Sequence, residues 1–392
     1  MKDVLRPSAE PNSRCTNGTH LLSFGISIDT PDITQRIVAA FSGISLAHVI
    51  VFASPSIDFP QLIGDLHVSF KCPVAGCTSA GEISDDGFVE EHVLVVGLPS
   101  RWFAARTVLI DNLSTRDFGQ LNDMLIQNRM ALTATNPGKP NGFSFLMVDA
   151  LSRCADQLLA AISPGIRGFP LFGGSVGDGL RFQEAAVAYE GRTYENAATL
   201  TFVITTCDVR VFSANHMAPG ETRMVVTQAD PADGIVRRIN DEPAAIEYAR
   251  LIGKDPLQLD DITLAENPLT LRAGETFHVQ AIQRITEDGH LVFSSAIEEG
   301  TVFSVARSQD IATHMDAELT QIINGYGTAD FLVCDCVGRR IEAQKTQSSR
   351  QLNEVVKKHG VRGFSACGQQ IGPLHMTHTL TGVALFPPER GT

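Results

Sequence analysis

The chain has 392 residues, 43% hydrophobic and 19% charged, the composition of a globular protein with a sizeable core, which excludes wholesale disorder. Its formal net charge of -13 excludes a general binder of nucleic acid or anionic membrane, because phosphate contacts need clustered Lys and Arg. No window approaches the about 18 consecutive apolar residues of a membrane span, so neither nucleic acid nor membrane is expected as a partner.

The N-terminal "MKDVLRPSAEPNSRCTNGT" lacks the apolar stretch of a secretory signal and reads as a flexible leader over residues 1–19. The eight cysteines form no C-x-x-C pair and read as reduced thiols in a cytoplasmic protein. Next, "LLSFGISI" has the pattern of a strand, and "DTPDITQRIVAAF" that of a helix with Thr30 as N-cap and Pro31 in the first turn.

A repeated unit then dominates the chain. "HVIVFAS" predicts a buried strand, "DFPQLIGDLHVSF" a helix with Leu62, Ile63, Leu66 and Phe70 on one face, and "PVAGCTSAGE" a strand opening into a glycine loop. The second copy is "FSFLMVD", then "LSRCADQLLAAI" with Leu151, Cys154, Leu158 and Ile162 at helical spacing, then "PLFGGSVGDG". The third is "FLVCDC", then "RQLNEVVKKHG" with Leu352, Val355 and Val356 apolar and Gly360 as C-terminal cap, then "VRGFSACGQQ". Each copy predicts a parallel crossover unit, and each is followed by another alternating strand. "EGRTYENAATLTFVI" predicts a hairpin at Gly191.

The turn cluster "ADPADG" marks the expected boundary between a first domain, 20–233, and a second, 234–392. Beyond it come helices in "NDEPAAIEYARLIG", ending at Gly253, and "SQDIATHMDAELTQIING", with strands between them around Asp288-Gly289. The expected fold is α/β, with repeated strand-helix-strand units and glycine loops in mixed sheets, followed by an α+β C-terminal part.

Glycines in such loops let backbone amides approach a ligand closely. The phosphate-loop and dinucleotide patterns are missing. "GGSVG" only approximates a nucleophile elbow, and the histidines show no close zinc spacing, so an enzyme is not expected. The loop residues Gly76, Ser79, Glu82, Gly174, Ser175, Asp178, Gly368 and Gln369 suit recognition of a small molecule better than reaction.

"FPLFGGSVGDGLRFQEAAVAYEGRTYENAATLTFVI" resembles the N-terminal FIST sensory domain, and "RINDEPAAIEYARLIG", "FLVCDCVGRRIE" and "GFSACGQQIGPLHMTHTLTGVALF" resemble its C-terminal companion, over roughly residues 20 to 388. The resemblance implies a ligand sensor in signal transduction rather than an enzyme. "CDCVGRRIE" followed by "GFSACGQQ" is most similar to the NosP-type nitric-oxide sensors, which implies a b-type haem, a partner sensor histidine kinase and a link to biofilm signalling. Under that resemblance His216 and His375 are the candidate metal ligands, and Arg181, Arg339 and Arg340 the candidate partners of the propionates. His216 stands where the family often shows His-Gly-Trp, but Met217 and Ala218 follow it here. His20, His278 and His314 have weaker claims. The alternative is a FIST sensor of a small metabolite such as an amino acid, without haem. No output domain is recognised in the sequence, so a signal is expected to pass to another protein, with a homodimer left open.

Overall fold

The computed structural model describes residues 20–388 apart from 180, 182, 261–262, 265–266, 274–275, 281 and 294–295. The leader at 1–19 lies outside the described residues.

Three six-stranded sheets share one plan. The first runs Leu22–Ser27, His92–Pro99, Leu46–Ala53, Val74–Thr78, Val187–Tyr189, Arg192–Tyr194. The second runs Leu374–Met376, Gly368–Ile371, Leu171–Val176, Asn141–Asp149, Ala198–Thr205, Phe103–Ile110. The third runs Asp208–Ala214, Leu380–Phe386, Asp330–Cys336, Val361–Ala366, Glu82–Ser84, Gly87–Val89. At the heart of each lies one parallel pair, the product of a strand-helix-strand crossover, and the neighbouring strands pair antiparallel.

The hairpin after each parallel pair leaves its own sheet. The first repeat's hairpin (82–89) adds to Val361–Ala366 of the third, the second's (187–194) to Val74–Thr78 of the first, and the third's (368–376) to Leu171–Val176 of the second. The exchange closes a ring, so each parallel pair gains a neighbour from another repeat instead of an open edge. Backbone bonds knit the loops in the same order: Ala80 N to Ser365 O at 3.1 Å, Thr78 N to Ala186 O at 3.0 Å, and Cys367 N to Ser175 O at 2.8 Å.

One glycine per repeat explains how close the strands lie. A Cβ on Gly76 would fall 2.4 Å from the Val51 carbonyl oxygen, on Gly173 2.3 Å from that of Leu146, and on Gly363 1.9 Å from that of Val333. These positions are equivalent, and they place the repeats in register.

The inner faces of the three sheets meet in one core containing Phe52, Cys77, Phe145, Phe172, Cys334 and Phe364. Phe52 stacks on Phe364 at 4.7 Å between ring centroids, and Phe145 on Phe172 at 4.9 Å. Each outer face is covered by its own helices: Ile33–Ala40 and Phe59–Ser69, Leu121–Thr135 and Ala155–Ile162, and Ile311–Ile323 and Ser349–His359.

The third repeat is interrupted. Between its edge strand Asp208–Ala214 and its helix Ile311–Ile323 the chain builds an eight-stranded antiparallel sheet, with Met217–Asp230 paired to both Val302–Ser308 and Ile235–Ile239. Helix Ala244–Ile252 packs on it through Ala244, Ala245 and Tyr248. This insert is the α+β portion, and residues 311–386 return to the α/β plan.

Two local expectations need correction. The first helix begins at Ile33 behind Asp32, whose φ of 57° is left-handed, so Thr30 lies in the preceding turn and is not its N-cap. Leu151 sits in the 3-10 turn Ala150–Ser152, held by Leu151 N donating to Asp149 Oδ1, and is exposed; the buried face of the next helix is Ala155, Leu158, Leu159 and Ile162.

Candidate functional site: the junction of the glycine loops

The carboxyl ends of all three parallel pairs open at one junction, where α/β folds place their ligands. A Cβ on Gly179 would meet that of Ala80 at 3.5 Å, and one on Gly177 would meet Cys367 Sγ at 3.2 Å, so loops from all three repeats touch. Helix Val337–Lys345 starts at this end of the third sheet, and its Arg340 donates to Ala80 O at 2.9 Å and to Glu90 Oε1 at 2.5 Å.

Buried acids stand at the junction. Ser79 Oγ donates to Glu82 Oε1 at 2.5 Å, while Glu82 Oε2 has no hydrogen-bond partner. Burial pushes the Glu82 carboxyl up to about 8, against the Ser79 hydrogen bond, the His92 backbone and the Arg340 charge. Asp178 Oδ2 accepts from Gln183 N and Glu184 N, both at 3.1 Å, and Oδ1 has no partner. Gln369 is fully buried, with its amide donating to Thr379 O at 3.2 Å. Gly76 and Gly174 serve packing: Gly174 leaves room for the Phe364 ring.

Ser175 Oγ accepts from Gln370 Nε2 at 2.8 Å. A Cβ on Gly368 would lie 2.5 Å from His375 Nε2 and 3.3 Å from Ser175 Oγ, so serine and histidine are neighbours. They are not hydrogen-bonded: His375 Nε2 has no partner, and Nδ1 lies 3.7 Å from Asp156 Oδ2. Burial pushes Cys77, Cys334 and Cys336 above the usual thiol range and Cys367 up to about 12, so these sulfurs are thiols, not nucleophilic thiolates. The groups assembled here suit hydrogen-bonded recognition.

A second buried cluster adjoins the junction. Arg339 Nε donates to Asp335 Oδ1 at 2.6 Å, and Arg339 Nη1 donates to His216 Nδ1 at 2.8 Å. Arginine can only donate, so His216 carries its proton on Nε2, which meets Glu342 Oε2 at 2.8 Å. Ser308 Oγ donates to the other Glu342 oxygen. Burial, with Arg339 adding to it, holds His216 below the usual imidazole range despite Glu342. Burial also pushes Asp335 up, against Arg339. Asp335 was not singled out in the sequence, although a charge inside the buried strand "FLVCDC" was a visible signal.

The residues expected to hold haem do not converge. Both nitrogens of His216 are engaged, and the residue is fully buried. His375 lies against Asp156, Arg339 in the buried cluster, and Arg340 on Ala80 and Glu90; Arg181 is exposed, 3.9 Å from Asp178. His216 and Arg339 meet each other, while His375, Arg340 and Arg181 each have other neighbours, so the five residues do not line one haem site as folded here. His20 packs edge-on against Trp102 and His314 lies 3.9 Å from Glu318, while the His278 side chain lies outside the described residues. Among the described residues no cluster of three or more metal-ligating side chains occurs, and no helix is long and apolar enough to cross a membrane.

Fold and junction together define a three-repeat α/β protein carrying an inserted sheet. Residues 47–242 match the FIST N domain and residues 244–372 the FIST C domain, and the chain belongs to the FIST family of signal-transduction sensor domains. Curated proteins gave no match.

Proposed function

We propose that this protein senses a small polar metabolite, such as an amino acid, at the junction of its glycine loops and passes the signal to another protein. The observation that carries the reading is Asp178 Oδ1, a buried carboxylate oxygen left without a partner where the loops meet, with the buried Glu82 carboxyl of another repeat at the same junction. Orphaned buried acceptors are costly, and a ligand's N–H groups would satisfy them. The test is thermal unfolding of the full chain with each common L-amino acid in turn. A ligand at a hundredfold excess over its Kd should stabilise the protein by about 2.7 kcal/mol, and the effect should shrink in Asp178→Asn. A flat response to every amino acid would rule the reading out.

Haem-based sensing of nitric oxide, with a partner histidine kinase, is the second reading. Its support is the unpartnered Nε2 of His375. A stoichiometric Soret band that is lost in His375→Ala would establish it, and the lack of such a band would remove it.

A further inference from the structure

The repeats provide an internal control for what the fold needs. Two residues beyond Val51, Leu146 and Val333, whose carbonyls face the equivalent glycines, stand Ala53, Val148 and Asp335. Their cross-strand partners are Thr78, Ser175 and Ser365. Two of the three repeats therefore build this strand end with an apolar residue, so the acid at Asp335 is not a requirement of the fold. The third repeat also adds helix Val337–Lys345, whose Arg339 answers that acid.

The pair is only half closed. A guanidinium that donates through Nε to one carboxylate oxygen ordinarily donates through Nη2 to the other. Here Asp335 Oδ2 and Arg339 Nη2 both lack a partner, and so does Ser365 Oγ across the strand pair. Asp335 and Ser365 are fully buried, and the Arg339 side chain is 1% exposed. One acceptor, one donor and one hydroxyl are thus left unpaired side by side.

We infer that the third repeat adds a recognition element that the other two lack: Asp335 and Arg339, with Ser365 beside them, grip a ligand group presenting a donor and an acceptor together, as the ammonium and carboxylate of an amino acid do. The inference rests on the reading of the protein as a sensor of small polar molecules and names further residues that contact the ligand. It also gives binding a structural consequence. The site is sealed beneath Arg339 and His216, and Glu342 on the same helix holds His216 and Ser308, the residues where the insert leaves and rejoins the repeat. A ligand that opens the Asp335–Arg339 pair must displace groups that hold both stalks of the insert.

The test compares binding of the L-amino acids by the full-length wild type with binding by Asp335→Val/Arg339→Leu, which gives this strand end the apolar character of Val148. Replacing a buried ion pair by apolar residues is commonly tolerated, and far-ultraviolet circular dichroism checks the fold. Arg339→Lys, which keeps the charge and loses the fork, is the second variant. The expected result is at least tenfold weaker binding in both variants. Wild-type affinity in either folded variant would overturn the assignment and leave the sensor reading intact. A wild type that binds no amino acid would overturn both.

Discussion

Arg339 Nη1 donates to His216 Nδ1 at 2.8 Å, and this bond joins the helix that follows the third repeat's first central strand to the residue that opens the inserted sheet. Arg339 reaches Asp335 on its other side, and His216 reaches Glu342. A buried chain of hydrogen bonds thus runs from the strand end to the insert.

Breaking that chain at one link should cost more than removing the ion pair. Arg339→Met strands Asp335 as a buried, uncompensated acid, for which about 3–5 kcal/mol of destabilisation is expected. Asp335→Val/Arg339→Leu should recover most of that loss. Urea unfolding of the three proteins checks the ranking, and a double variant no more stable than Arg339→Met would contradict it.

His216 should govern how firmly the insert is held. His216→Ala leaves Arg339 Nη1 and Glu342 Oε2 without their partner, at about 1–3 kcal/mol for each unsatisfied group. Amide exchange should accelerate across 217–308 more than in the first repeat. Because burial holds the folded His216 below its unfolded value, its neutral form stabilises the fold fully above about pH 6.5, and that stability is lost as the pH falls. Wild-type protection of the insert should decline on acidification, and His216→Ala should lack that component.

Glu82 should give the opposite slope. Burial raises its folded value to about 8, so the folded state holds a proton that the unfolded state has already released. Stability then falls as the pH rises from about 4.3 through 8, by at most about 1.4 kcal/mol per unit. Glu82→Gln, which is neutral throughout, should flatten this dependence and exceed the wild type in stability above pH 8. Identical pH profiles for the two proteins would show that Glu82 is charged in the fold.

Close strand approach predicts a contrast between glycines. Gly173→Ala forces a Cβ to 2.3 Å from the Leu146 carbonyl oxygen and should cost about 1–3 kcal/mol. At Gly138 a Cβ meets nothing within 4 Å, so Gly138→Ala should be close to neutral. Thermal unfolding of both variants decides it.

Much of the fold was legible locally. Apolar strands, helical spacing at Leu62, Ile63 and Leu66 or at Leu352, Val355 and Val356, and the left-handed cap at Gly360, with φ of 60°, are short-range consequences of side-chain pattern and backbone freedom. The glycine motifs exposed three related units for the same reason: each copy needs a residue without a Cβ where two strands nearly touch.

The rest depended on which distant groups became neighbours. Hydrophobic pattern specifies that a hairpin has a buried face, but not that 82–89 pairs with Val361–Ala366, more than 270 residues away in the chain. Nor does a histidine's sequence position state its partners: His216 read as a free ligand until folding brought Arg339 and Glu342 to its two nitrogens. The sequence by itself determined the repeats, the glycine loops and the polar side chains available to them. Only the tertiary structure decided that the hairpins exchange in a ring, and that Asp335 and Arg339 lie buried with one side of their pair open, because desolvation and hydrogen-bond geometry belong to the folded neighbourhood rather than to any residue alone.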